Sequence, residues 1–226
     1  MPEKEIIISF LSMLGDKGQH YHSFLKFLAN EERSGWEKWI QFELIRHINS
    51  QDKNHEFYWE DRYKLNGKTK KTKQLDLVYR PLNFTADKYV GIELKVQRYI
   101  EYSVNGILKD LYWLSKITIR ETSRQEETRD SWNFRSILGI AFFSKPSEDN
   151  KRQSKYREFI KQLEEERLAT LTEEIPGWYA VVINWQARSP KEDNSKLKES
   201  YINFYKKIRH FAKKHGIYYE PSNMTK

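Results

Sequence analysis

Glu93 and Lys95 stand two residues apart in KYVGIELKVQ (residues 88–97), a stretch that alternates apolar and polar as a strand does. Side chains two apart on a strand point the same way, so the carboxylate and the amine share one face while Ile92, Leu94 and Val96 take the other. Asp76, in KQLDLVYR, lies seventeen residues earlier on a second alternating segment. An antiparallel hairpin of that length brings it beside Glu93, on the same surface if the register allows. Converging carboxylates repel unless positive charge sits between them, and Mg²⁺ prefers carboxylate and water oxygens. Asp76 and Glu93 would be ligands and the Leu94 carbonyl a further one. Lys95 would steady a water molecule and stabilise developing phosphate charge. That is the equipment for hydrolysing a phosphodiester. The competing reading is a wet sheet face on which Glu93 and Lys95 form an ordinary solvated pair.

The elements that must position these groups follow from periodicity. Residues 4–32 read as helix in two pieces, broken near GDKGQ. A third helix, SGWEKWIQFELIRHINSQ, starts from Ser34 as N-cap and runs to about Ser50. The segment HEFYWEDRYKLNGKTKKTKQLDLVYR then offers an aromatic strand, an Asn66-Gly67 turn signal, a basic loop and an alternating strand ending near Arg80. After residues 88–97 the period becomes helical in VNGILKDLYWLSKITIRE, with Ile107, Leu108, Leu111, Leu114 and Ile117 on one side. A polar loop over 123–131 precedes FRSILGIAFFS, whose near-continuous hydrophobicity suits a sheet interior. SKYREFIKQLEEERLATLTEE reads as an amphipathic helix stopped at Pro176-Gly177, WYAVVINW as a buried strand, and about 196–214 as a last helix. Hairpin-linked strands followed by helix-linked ones imply an α/β chain with a mixed central sheet and helices on both faces.

Composition bounds the rest. The chain has 226 residues, 32% charged and only 38% hydrophobic, yet 15% are aromatic, including seven Trp. An aromatic-rich core beneath a charged surface is expected. The formal charge of +8 suits a polyanionic partner. With no cysteine, disulfides, thiolate zinc sites and a Cys nucleophile are excluded, and a reducing, cytoplasmic setting is expected. No apolar run approaches the roughly 20 residues of a membrane span. The start, MPEKEIIISFLSMLGDKG, does not read as a signal peptide, so the sequons at Asn83 and Asn223 carry no weight.

QLDLVYR followed by GIELKV resembles the PD-(D/E)xK nuclease superfamily, the fold of restriction endonucleases and Holliday-junction resolvases. The resemblance implies a helix, a three-strand meander carrying Asp and Glu-x-Lys, a helix and a further strand, an order that residues 34–143 follow. It divides the chain into an N-terminal helical extension (1–33) and a restriction-endonuclease-like domain (34–226). It also implies Mg²⁺-dependent cleavage of DNA, with Mn²⁺ as a substitute, leaving a 5′-phosphate and a 3′-hydroxyl; many relatives act as homodimers. The family often carries another acid on the preceding helix, for which Glu37 and Glu43 both border the apolar face; the QFEL context favours Glu43. Leu75 stands where the motif has Pro, and no QxxxY element is evident, which favours an endonuclease branch. Restriction, repair and mobile-element processing are all compatible settings. The alternatives are a non-catalytic nucleic-acid-binding protein on the same fold and an RNA nuclease.

Lys68, Lys70, Lys71 and Lys73, just before Asp76, are expected to grip phosphates beside the cut site. His20 and His22 read as surface histidines. Asp110 lies near the apolar stripe of the helix after the motif and reads as a helix-surface acid, the alternative being a group that caps or orients the active site. Most Trp residues are expected in the core.

Overall fold

The computed structural model describes residues 3–16, 21–30, 36–51, 55–65, 68–81, 88–120, 133–146, 150–175, 177–187 and 192–217; within these, the side chains at 22, 26, 28–30, 60–65, 68–72, 118–120 and 174 lie outside the description. Three helices come first, α1 (Glu3–Gly15), α2 (Tyr21–Asn30) and α3 (Glu37–Gln51). The meander β1 (His55–Leu65), β2 (Lys68–Pro81) and β3 (Tyr89–Val96) follows. Next come α4 (Ile100–Leu114), β4 (Ile117–Arg120), β5 (Phe134–Ser144) and α5 (Lys151–Glu165). β6 (Ala169–Ile175), β7 (Trp178–Gln186) and α6 (Asn194–Lys214) complete the order.

The described strands make one seven-stranded sheet in the order β4-β1-β2-β3-β5-β7-β6. β3 and β5 run parallel, and every other neighbouring pair is antiparallel. The expectation of a mixed sheet with helices on both faces is met. On one face Val104, Ile107, Leu111, Phe159, Tyr201 and Ile208 of α4, α5 and α6 form a buried layer. On the other, Ile7, Phe10, Leu14, Ile40 and Leu44 of α1 and α3 form a second. β5 sends Ile137, Ala141 and Phe143 into the first and Leu138, Ile140 and Phe142 into the second, which is why its sequence is apolar throughout. Trp36, Trp178 and Trp185 are buried, as expected of the core.

α1 and α2, from the segment read as an extension, share one layer with α3, and Glu3 of α1 pairs with Arg135 at the start of β5. The 33/34 boundary itself lies outside the described residues, as do Ser34, the Asn66-Gly67 turn, the 123–131 loop, His20 and the His22 side chain.

Three readings of secondary structure need correction. The helix expected to continue through SKITIRE ends at Leu114, and the β-branched run Ile117–Arg120 instead pairs with β1 at the sheet edge. The helix expected through LATLTEE ends at Glu165. Arg167 takes a left-handed φ of 58°, and the Leu168 N–H returns to the Leu163 carbonyl at 2.8 Å, a Schellman-type closure. The freed segment alternates and becomes β6. The basic stretch before Asp76 is no loop either, for β2 begins at Lys68.

Candidate active site

β2 and β3 pair over only three positions, Leu77 with Ile92, Val78 with Gly91 and Tyr79 with Val90. Continued one step, that register would set Asp76 opposite Glu93, but the ladder stops there. Leu75 and Leu77 pack in different layers, so side-chain alternation along β2 is interrupted at Asp76. The amides of β3 beyond the split still need acceptors. The Leu94 N–H donates to Asp76 Oδ2 at 2.7 Å, and the Val96 N–H reaches Glu37 Oε2 at 3.4 Å. Two carboxylates thus stand where further rungs would be, one from β2 and one from the first turn of α3.

On the opposite side of β3, α4 closes over the sheet. Gly139 sits beside Glu93 on β5, and a Cβ there would come within 2.5 Å of Ile107 Cγ2; the missing side chain lets α4 press down. Gly106 gives the same clearance to Lys95, whose Cγ and Cδ would lie 3.0 Å from a Cβ at that position. Glu93 is consequently fully buried. It belongs to no wet face, and no solvated Glu93–Lys95 pair exists.

Asp110 of α4 completes the group. Lys95 Nζ lies 3.1 Å from Asp110 Oδ2 and 3.7 Å from Asp76 Oδ2, and donates to the Leu94 carbonyl at 2.9 Å. Lys73 Nζ lies 2.9 Å from Glu93 Oε1 and 2.9 Å from Asp110 Oδ1. Four carboxylates, Glu37, Asp76, Glu93 and Asp110, therefore meet two ammonium groups, leaving a formal charge of −2 when all are ionised.

The electrostatics follow from burial and crowding. Burial, then Asp110, pushes the Glu93 carboxyl well above the usual carboxylate range; Lys73 opposes this, Asp76 adds to it, and Lys95 opposes it. Glu37 is raised by burial, and also by Asp76 and Asp110, against the pull of Lys95. Burial would lower both lysines, but their carboxylate partners outweigh it. Lys73 is held up by Glu93 and Asp110, and Lys95 by Asp110, Asp76, Glu93 and Glu37.

Asp76, Glu93 and Lys95 are thus brought together, and three sequence-based assignments are corrected. Glu43 is elsewhere: it accepts from the Tyr21 hydroxyl at 2.7 Å and pairs with Arg46 at 2.9 Å, while Glu37, in the first turn of the same helix, reaches the cluster. Lys73 turns inward to the acids instead of outward to phosphate. Asp110 is buried, not a surface acid; its place in the buried stripe of Ile107, Leu111 and Leu114 was the signal for it. The side chains of Lys68, Lys70 and Lys71 lie outside the described residues.

The donor set suits a hard divalent cation. It is made of carboxylate and carbonyl oxygens, and of the two buried oxygens of Glu93, Oε1 faces the Lys73 ammonium while Oε2 has no hydrogen-bond partner. Among the described residues no three acidic or imidazole groups already close round a single point; Lys73 lies between Glu93 and Asp110, and Lys95 between Asp110 and Asp76. Compared with models of protein families, with curated proteins and with solved structures, the chain matches none. Among the described residues no helix is long and apolar enough to cross a membrane.

Proposed function

We propose that this chain is a Mg²⁺-dependent DNA endonuclease on a restriction-endonuclease-like fold. One observation carries the reading. Where β2 leaves β3, the exposed β3 amides are taken by acids, so Asp76 and Glu37 gather beside Glu93 and Lys95 in a cluster with surplus negative charge. A fold has no structural need for such a concentration, since buried unpaired charge costs stability.

Asp76 and Glu93 would hold the cation, with the Leu94 carbonyl as a further ligand and Glu37 close by. Bound there, Mg²⁺ would neutralise the acids and polarise the phosphate. Lys95 remains an ammonium at neutral pH, because its carboxylate neighbours outweigh its burial. It therefore acts as a donor that orients the attacking water and meets charge growing on phosphate oxygens, not as a base. The water oxygen bonds to phosphorus and gives up a proton to solvent as the P–O3′ bond breaks. The 3′ oxygen takes up a proton from solvent, leaving a 5′-phosphate and a 3′-hydroxyl. Asp110 holds the Lys95 ammonium at 3.1 Å and so positions it. The net charge of +8 favours approach of the polyanion.

The test is plasmid nicking with Mg²⁺ or Mn²⁺ by the wild type, Asp76→Ala and Lys95→Ala, alongside single-stranded, branched and RNA substrates. Cleavage should fall at least about a hundredfold in both variants, the scale of losing a transition-state donor or ligand, while binding persists. Undiminished cleavage in both would remove the assignment. Binding without cleavage by the wild type would instead mark a non-catalytic nucleic-acid-binding protein, and cleavage confined to RNA would change the substrate.

A further inference from the structure

Lys73 sits between two of the clustered acids in a way that phosphate contact does not require. Its Nζ bridges two buried carboxylates, at 2.9 Å from Glu93 Oε1 and 2.9 Å from Asp110 Oδ1. The Glu93 side chain is 1% exposed and that of Asp110 11%, so this ammonium supplies charge that solvent does not. We propose that Lys73 is a built-in counter-cation: it holds Glu93 and Asp110 in the absence of a divalent ion and gives way when one enters. This rests on the reading of the cluster as a divalent-cation site and concerns how the chain keeps that site folded without the ion.

The two lysines differ in a way that assigns the role. Lys95 has a backbone anchor, the Leu94 carbonyl at 2.9 Å, besides its acids. The contacts that hold the Lys73 ammonium are both to carboxylates. A divalent ion on Glu93 would stand next to that ammonium, and like charges a few ångströms apart in a buried setting repel. Lys73 has somewhere to go: its side chain is 16% exposed, already touching solvent. Swung outward, its charge would be released from the acids, so that loading the cation and presenting a charge to phosphate become one event.

The experiment compares Mn²⁺ binding by the full chain and its Lys73→Met and Lys73→Arg variants, by electron paramagnetic resonance at fixed pH and ionic strength. Removing the competing charge in Lys73→Met should tighten Mn²⁺ about tenfold, and Lys73→Arg, which keeps the charge, should show no tightening. Wild-type binding without a gain in Lys73→Met overturns the inference and leaves the cation reading standing. No Mn²⁺ binding by wild type or Lys73→Met overturns both. Should Lys73→Met fail to fold, amine labelling of the wild type read by mass spectrometry decides. Lys73 should react faster with saturating Mn²⁺ than without, and an unchanged rate rejects the displacement.

Discussion

Glu37 Oε2 stands 3.4 Å from the Val96 amide nitrogen, 59 residues away along the chain, and that contact ties the first turn of α3 to the end of β3. It places an acid from one face of the sheet next to Lys95, whose ammonium is held on the other face by Asp110. The opening between β2 and β3 makes this meeting across the sheet feasible.

Glu37 and Glu43 should therefore separate cleanly on mutation. Glu37→Gln is expected to lower cleavage by at least about tenfold, as loss of a charged group near the reacting phosphate does, with folding intact. Glu43→Gln should leave cleavage unchanged and cost less than about 1 kcal/mol, since its partner Arg46 is exposed. Single-turnover cleavage and thermal unfolding of both variants check this; reversed effects would return the role to Glu43.

Gly106→Ala offers a test of clearance. Alanine gains about 1 kcal/mol over glycine inside a helix, but its Cβ would sit 3.0 Å from the Lys95 stem. Stability should hold or rise while cleavage falls about tenfold, because Lys95 must shift. A variant that is destabilised yet fully active would show that the contact relaxes elsewhere.

Glu93→Gln should uncouple stability from activity. The folded-state carboxyl of Glu93 is raised above the usual carboxylate range, so the folded chain holds its proton more tightly than the unfolded chain does. The cost of ionising it is absent below about pH 4.3, the unfolded value, and grows as pH rises towards the folded one. In chelator, the glutamine variant should melt above the wild type at pH 8, by about 2–4 °C if the relief is near 1 kcal/mol, and the gap should close towards pH 5. Its cleavage should be abolished. Equal destabilisation at both pH values would mean that the Glu93 carboxylate is a net structural asset.

Asp110→Asn removes the anchor shared by both lysines. Cleavage should fall between about tenfold and a hundredfold with DNA affinity unchanged, the pattern of a lost positioning group. The alkaline limb of the pH–rate profile should also shift to lower pH, since Asp110 is the largest of the influences holding the Lys95 ammonium up. A fall in affinity alone, with an unmoved profile, would make Asp110 purely structural.

The sequence alone determined what is local. The two-residue spacing of Glu93 and Lys95 placed them on one face, and alternation and apolar runs located β3, β5 and β7 to within a residue or two, because burial on a pleated strand leaves a period of two. Where the chain changed element without changing its apolar content, at SKITIRE and at LATLTEE, the pattern was ambiguous; Arg167 and pairing at the sheet edge decided it. Only the tertiary structure determined which charges meet. Glu37 and Glu43 border the same helical stripe, and the selection between them depends on which end of α3 lies over the split in the sheet. Lys73 stood in a basic run that suited phosphate contact, and Asp110 on a helix where it read as a surface acid. Both turn inward because the balance of a buried cluster is a sum over groups far apart in sequence, a quantity no local window contains.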